Sequence, residues 1–391
     1  MRRLLRRLAF LSLALTACAA AGLWFWSEPA RPEVPVPPIH VTLDEGQSWF
    51  AAELVQPQDG LTQLPLLTSG RASAGKKDML IQEWPGFHAE ARFRGSSVTV
   101  RFQDGLNRWR ILLNDGKAGR IDVARPGMSD LHISGLAPAE YRIRVEKISE
   151  SSMPASFGGI LIGPTVQPLP APRALPRMIE FIGDSDTVGF ANTASTRDCT
   201  EEEVFSATDT SRSFGPQVAS RLGADYRMIA RSGIGLLRNY DGAAPLATMT
   251  SRYALALPSE PAAMRLPERA ADVVVTGIGS NDFAAAFAKD EIWQDDDSLS
   301  RDFGTALLSF LRDRVRENPG AVQVLLAFGE YGDRLVRPYR AAEAALRADG
   351  VRVVLVTPPK LKRDACFWHP SQEDHRLIAD WLATAISSAG T

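Results

Sequence analysis

Met178-Ile-Glu-Phe-Ile-Gly-Asp-Ser-Asp-Thr-Val-Gly-Phe190 decides how the rest of the chain is read. A short apolar run, 178–182, stops abruptly at Gly183-Asp184-Ser185. In an α/β chain this reads as a first buried strand that delivers a serine to a crevice, because ligand sites of open parallel sheets lie beyond the carboxyl ends of the strands. Gly-Asp-Ser alone also fits a plain turn with a capping serine. The ends of the other strands must decide between the two.

Downstream, strand-like runs at 226–230, 272–278, 322–328 and 351–356 alternate with amphipathic stretches at 213–222, 298–316 and 337–348, and a terminal helix is expected near 372–387. Such βαβ alternation predicts, over 178–391, a doubly wound parallel sheet with helices on both faces, a flavodoxin-like three-layer α/β domain. The long polar segment 191–210 interrupts the alternation just after Ser185 and is expected to form one wall of the crevice.

Upstream of 178 the texture changes. Pro164, Pro168, Pro170, Pro172 and Pro176 mark 164–177 as a proline-rich linker between domains. Between 39 and 163 the period is two: 89–93, 98–102, 108–113 and 141–145 alternate apolar and polar residues, punctuated by Gly95, Gly105, Gly116 and Gly135. Short alternating strands at this spacing predict an antiparallel β-sandwich, jelly-roll-like. Arginines recur on its outward positions, mixed with acids, which reads as a solvated sheet face. Trp49, Trp84 and Trp109 either pack in the core or form a platform for sugar rings, with packing the commoner fate. His40, His88 and His132 lack metal-ligand spacing and read as structural, and His375 reads as packing or capping in the last helix.

The 391 residues carry a net charge of −2 and no basic block, so electrostatics points to no nucleic-acid partner. Arg2, Arg3, Arg6 and Arg7 precede an uncharged apolar run to Trp26, the layout of an export signal over 1–26. Leu15-Thr16-Ala17-Cys18 matches a lipobox, which would lipidate Cys18, whereas the continuation through Trp24-Phe25-Trp26 suits an uncleaved anchor. A cleaved signal is the third fate. All three place the folded part outside the cytoplasm, attached to or released from a membrane. Pro29, Pro32, Pro35, Pro37 and Pro38 make 27–38 a stiff spacer. Beyond the leader the cysteines are Cys199 and Cys366, which either pair in an oxidising compartment or stay as buried thiols.

The strand ends now decide the meaning of Ser185. The second strand ends at Arg231-Ser232-Gly233, the third at Gly279-Ser280-Asn281-Asp282, and the last is followed by Cys366-Phe367-Trp368-His369-Pro370-Ser371. A hydroxyl, backbone and amide donors, and a histidine on one rim are what acyl transfer requires. Gly183-Asp184-Ser185, Gly233, Gly279-x-Asn281-Asp282 and His369 resemble, in order, the four blocks of the SGNH (GDSL-like) hydrolases. With the preceding sandwich, Gly-Asp-Ser-Asp-Thr-Val-Gly and Trp-His-Pro-Ser, the chain most resembles carbohydrate esterase family 2, whose acetyl-xylan-esterase-like members deacetylate polysaccharides.

The resemblance implies that Ser185 is the nucleophile and His369 the general base and acid. It implies an oxyanion hole formed by the N–H groups of Ser185 and Gly233 and the Asn281 amide, with no cofactor and no metal. The expected partner is an acetylated polysaccharide or oligosaccharide, with Trp368 a candidate for stacking on it. A Cys199–Cys366 disulfide would tie the post-nucleophile loop to the histidine loop. One position departs from the superfamily: Cys366 stands three residues before His369, where an orienting Asp is usual. Asp364 is the remaining local carboxylate, so the expectation is a Ser–His dyad with a backbone carbonyl or another group orienting the imidazole. The readings that stay open beside an O-acetyl esterase are a lipase- or thioesterase-like enzyme, an esterase of cell-envelope glycans, and a non-catalytic glycan-binding protein.

Overall fold

Successive side chains of a strand face opposite ways, and the period-two sequence accordingly builds the first half of the chain into antiparallel strands. The computed structural model describes residues 38–44 and 49–390. The expected leader 1–26 with Cys18, and most of the expected spacer 27–38, lie outside them. The principal strands are β1 (His88–Asp104), β2 (Arg108–Leu113), β3 (Gly119–Ala124), β4 (Gly127–Lys147) and β5 (Ala155–Ile162), ordered β3-β2-β4-β1-β5 within one 12-stranded sheet. Ala89, Ala91 and Phe93 from the first half of β1 and Val98, Val100 and Phe102 from its second half share one core, as do Leu131, Ile133, Ile143 and Val145 of β4. A sheet that feeds one core from both ends of its long strands is folded over on itself, which is the sandwich architecture.

The structure corrects three expectations here. The runs 89–93 and 98–102 belong to a single 17-residue strand. Gly135 does not end a strand either: β4 continues through it, with a register shift against β1 between Ser134 and Ala139 and a φ of +77° at the glycine. A glycine inside a strand lets the ladder bulge without ending it. The arginine-bearing face, expected to be solvated, is so at Arg92, Arg94 and Arg142, but elsewhere it covers the second half of the molecule. Arg110 donates to Asp209 at 2.8 Å, Arg108 to the carbonyls of Ser206 and Thr208 at 2.6 and 3.1 Å, and Arg144 to the Tyr226 hydroxyl at 3.2 Å. Trp84 and Trp109 are buried, Trp109 stacked on Phe157, while Trp49 is exposed. A sugar platform on the two buried rings is therefore excluded.

The second half holds the parallel sheet: β6 (Arg177–Gly183), β7 (Ala224–Ala230), β8 (Val273–Gly277), β9 (Val322–Leu326) and β10 (Val353–Val356), in the order β7-β6-β8-β9-β10. Besides a single turn at Met249–Arg252, its helices are α1 (Ser185–Val188), α2 (Glu201–Ala207), α3 (Phe214–Leu222), α4 (Asp296–Glu317), α5 (Asp333–Ala348) and α6 (Gln372–Ser388). Alternation again sorts the side chains. Phe181, Met228, Val275 and Val324 meet Phe214 and Val218 of α3 and Ile378 and Leu382 of α6 on one face. Ile182, Ile229, Val274 and Leu325 meet Phe303 and Leu307 of α4 and Leu335 of α5 on the other. The sheet order reverses direction at β6, so the crevice expected for a ligand opens between the carboxyl ends of β6 and β8.

Two connections are more ordered than their composition suggests. The segment 191–210 contains α2, started by a capping box between Thr200 and Glu203. Within 164–177, Gln167–Pro168 pairs with β1 and the Leu175 amide donates to Asp225. No helix among the described residues is long and apolar enough to cross a membrane.

Candidate active site

The turn after β6 is built around a backbone crossing that admits no side chain. A Cβ on Gly183 would lie 2.0 Å from Thr187 Oγ1 and 2.7 Å from the Gly277 carbonyl oxygen. Glycine lets the chain reverse against β8 and start α1 at Ser185. Asp184 caps that turn, its Oδ1 accepting the Asp186 N–H at 3.0 Å and its Oδ2 accepting the Ser280 hydroxyl. Burial and the neighbouring Asp186 push the Asp184 carboxyl up from its ordinary value, against the pull of those two donors. The Ser185 N–H begins the helical turn and has no intrahelical acceptor.

The histidine arrives from the opposite side. His369 Nε2 lies 2.9 Å from Ser185 Oγ, and its Nδ1 lies 2.9 Å from the Cys366 carbonyl oxygen. A carbonyl only accepts, so the neutral imidazole carries its proton on Nδ1 and presents the Nε2 lone pair to the serine hydroxyl. Burial lowers the His369 pKa, while the Asp186 carboxylate and the Cys366 carbonyl partly offset it. The Phe190 ring packs against the imidazole, centroids 4.4 Å apart.

The loop carrying His369 is braced rather than capped by an acid. Phe367 and Trp368 both have positive φ, +52° and +59°, a conformation that costs non-glycine residues energy and is kept only where the surroundings enforce it. Cys366 is joined to Cys199 by a disulfide with Cα atoms 5.7 Å apart. The Phe367 N–H donates to the Arg197 carbonyl at 2.8 Å. The Arg197 guanidinium reaches the carbonyls of Arg363 and Lys362 and the carboxylate of Asp364, at 2.8, 2.9 and 2.7 Å. Asp364 is thus engaged by Arg197.

Two further strand ends complete the rim. Gly233 has a φ of +76°, and its carbonyl accepts the Tyr240 N–H at 2.9 Å. The Asn281 amide donates to the neighbouring Ile234 carbonyl at 2.9 Å, leaving its second N–H for another acceptor. Asp282 holds the loop after Gly233 by accepting the amides of Leu236, Leu237 and Arg238 at 2.8, 2.8 and 2.9 Å. Burial pushes its pKa up to about 6, with those amides pulling the other way. Glu150, at the end of the sandwich, accepts the Ser232 amide at 2.7 Å. The sandwich therefore buttresses a strand end of the site.

Ser185, Asn281, Trp368 and His369 line one cleft of about 530 Å³, and Gly233 adjoins it through Ile234 and Tyr240. These five sequence-based candidates are gathered there, while Cys199 and Cys366 pair behind it. Sequence reading missed Tyr240 and Phe367, exposed aromatics on the same rim, together with Asp186, Glu330 and Arg363 beneath it. Aromatic character alone gave no signal for the first two, because nothing local distinguishes a rim aromatic from a core one. His375 is buried in α6 and accepts the Phe214 N–H at 3.2 Å, which absorbs it in packing. A groove of about 770 Å³ between α4 and α5 contains none of these residues.

Known proteins share this arrangement of chain. Residues 68–172 match the family model for the carbohydrate esterase 2 N-terminal domain. An acetylxylan esterase/glucomannan deacetylase of Cellvibrio japonicus is 32% identical over 345 residues, which span 87% of this chain and 93% of that protein. A solved carbohydrate esterase, described as having an active site with divergent catalytic and non-catalytic binding functions, is similar with a TM-score of 0.77 and 31% identity. That match covers 84% of this chain and 98% of the other. A family two carbohydrate esterase from Clostridium thermocellum, in complex with cellohexaose, has a TM-score of 0.72 and 26% identity over 83% of this chain and 98% of its own.

Proposed function

Because the chain belongs to carbohydrate esterase family 2, with the SGNH-like fold of that family, we propose that it removes O-acetyl groups from a carbohydrate polymer through a Ser185–His369 acyl-enzyme. The observation that carries the proposal is the 2.9 Å approach of His369 Nε2 to Ser185 Oγ, with Nδ1 held by the Cys366 carbonyl. Ser185 Oγ attacks the acetyl carbonyl as Nε2 takes its proton. The tetrahedral oxygen is met by the N–H groups of Ser185 and Gly233 and the Asn281 amide. Nε2 then protonates the departing sugar hydroxyl, and a water activated by the same nitrogen hydrolyses the acetyl-serine. In this reading the base works as a dyad: the Cys366 carbonyl dipole fixes the tautomer and favours the imidazolium.

Export supports the same reading from the other end of the chain. An arginine-led apolar segment at 1–26 and a disulfide between Cys199 and Cys366 both suit an oxidising, extracytoplasmic setting, where plant-type polysaccharides are met. The open cleft with exposed Tyr240, Phe367 and Trp368 suits a sugar chain carrying a small acyl group.

Acetate release from acetylated xylan, glucomannan and peptidoglycan tests the proposal. Wild type should release acetate from at least one plant-type polymer, and Ser185→Ala should not. Preference for an octanoyl over an acetyl p-nitrophenyl ester would favour the lipase-like alternative. Equal inactivity of wild type and Ser185→Ala would favour a glycan-binding protein.

A further inference from the structure

Acyl transfer as described makes no use of Arg363, yet its guanidinium joins three loops of the site. Nη1 and Nη2 donate to the two carboxylate oxygens of Asp186 at 3.1 and 2.7 Å. Nε donates to Glu330, and Nη1 reaches the Trp368 carbonyl at 3.4 Å. Asp186 directly follows the nucleophile, Glu330 lies in the turn after β9, and Trp368 directly precedes the base. The three side chains of the ion cluster are largely withdrawn from water, 14% exposed for Arg363, 4% for Asp186 and 19% for Glu330.

The backbone around Arg363 is pinned as firmly as its side chain. The amides of Lys362 and Arg363 both donate to the Asp374 carboxylate at 3.0 Å, which ties the loop to the first turn of α6. Arg363 itself sits at a φ of +52°. A bidentate guanidinium–carboxylate fork is the most direction-specific ion pair available to a protein. Here it bridges the residue after the nucleophile to the loop that presents the base.

We propose that Arg363 is a positioning residue for the catalytic pair: its fork locks the turn after Ser185 to the loop before His369 and neutralises the buried Asp186 carboxylate next to the nucleophile. The proposal rests on the reading of Ser185 and His369 as nucleophile and base. The charged and titratable groups around His369 come from every packed element: Asp184 and Asp186 from the nucleophile turn, Arg197 from the segment before α2, Tyr240 from the loop after β7, Glu330 and Tyr331 from the turn after β9, Lys360, Lys362 and Arg363 from its own loop, and His375 from α6. Among them Asp186 favours the imidazolium and Arg363 opposes it. Removing the guanidinium would leave a buried carboxylate unbalanced beside the base. It would raise the affinity of His369 for a proton and release both loops from their common partner.

The test is kcat and KM for p-nitrophenyl acetate across pH, with thermal unfolding recorded for each variant. Arg363→Met should lower kcat by about 10- to 100-fold at the optimum, the scale of a displaced catalytic group, with KM little changed. The acidic limb of its kcat/KM profile should rise by about one pH unit. The double variant Asp186→Asn/Arg363→Met should bring that limb back to or below its wild-type position while kcat stays low. If Arg363→Met does not fold, Arg363→Lys decides: with the charge kept and the fork lost, the limb should hold its position and kcat should fall. An unmoved limb in Arg363→Met, or wild-type kcat in Arg363→Lys, would overturn the proposal. Activity retained by Ser185→Ala would overturn the underlying assignment instead, so the two failures are separable.

Discussion

The Cys366 carbonyl oxygen lies 2.9 Å from His369 Nδ1, where the proposed mechanism needs a group to orient the imidazole. Asp364, the acid nearest in sequence, is half exposed and turned to Arg197 at 2.7 Å. Asp364→Asn should therefore leave kcat within about threefold of wild type, the scale of a surface ion pair. Steady-state kinetics on p-nitrophenyl acetate checks this. A loss of 100-fold or more, on the order expected when a triad acid is removed, would make Asp364 the orienting group.

The pH profile follows from the burial of the imidazole. In the proposed mechanism His369 must be neutral at Nε2 to accept the serine proton, and burial lowers its pKa below 6.5 despite the opposing Asp186 carboxylate. The protonated, inactive form therefore accumulates only at lower pH. The acidic limb of kcat/KM should lie below pH 6.5 and the rate should be level from there through neutrality. A limb well above 6.5 would show that Asp186 outweighs burial.

What the sequence made legible follows from how local each cause is. Period two in β2 and β4, and apolar runs between amphipathic helices, arise within a few residues, so both sheets could be read directly. Ser185, Gly233, Asn281 and His369 stand out because each follows a strand that ends on the same rim. The covered part of the arginine face was not legible, because alternation shows which side chains leave the core, not what covers them. Arg110 and Arg144 meet Asp209 and Tyr226, which lie 99 and 82 residues away. Arg363 was invisible for the same reason, its partner Asp186 being 177 residues distant.

Reduction should reveal how much the histidine loop relies on its brace. The disulfide closes 167 residues, for which the chain-entropy model gives about 5 kcal/mol, the upper end of the usual range. Cys199→Ser/Cys366→Ser should lose roughly 2–5 kcal/mol of stability in denaturant unfolding. It should also lose activity under native conditions, because the backbone carbonyl of residue 366, which sets the His369 tautomer, loses the tether that places it. Full kcat in the folded double variant would show that Arg197, through the Phe367 amide and the carbonyls of Lys362 and Arg363, holds the loop without help.

The exposed aromatics separate polymer recognition from chemistry. Trp368 is 62% and Tyr240 55% exposed on the rim of the cleft, where an apolar sugar face can cover them. The Arg197 guanidinium lies 5.8 Å from the centroid of the Trp368 ring, which helps fix its plane. Trp368→Ala and Tyr240→Ala should each raise KM for an acetylated polysaccharide by roughly 5- to 10-fold, the worth of one aromatic stack. Neither should change kcat by more than about threefold, and p-nitrophenyl acetate, which has no sugar ring to stack, should be hydrolysed as by wild type. A parallel loss on both substrates would mean that these side chains shape the loops of the catalytic pair, with the polymer held elsewhere.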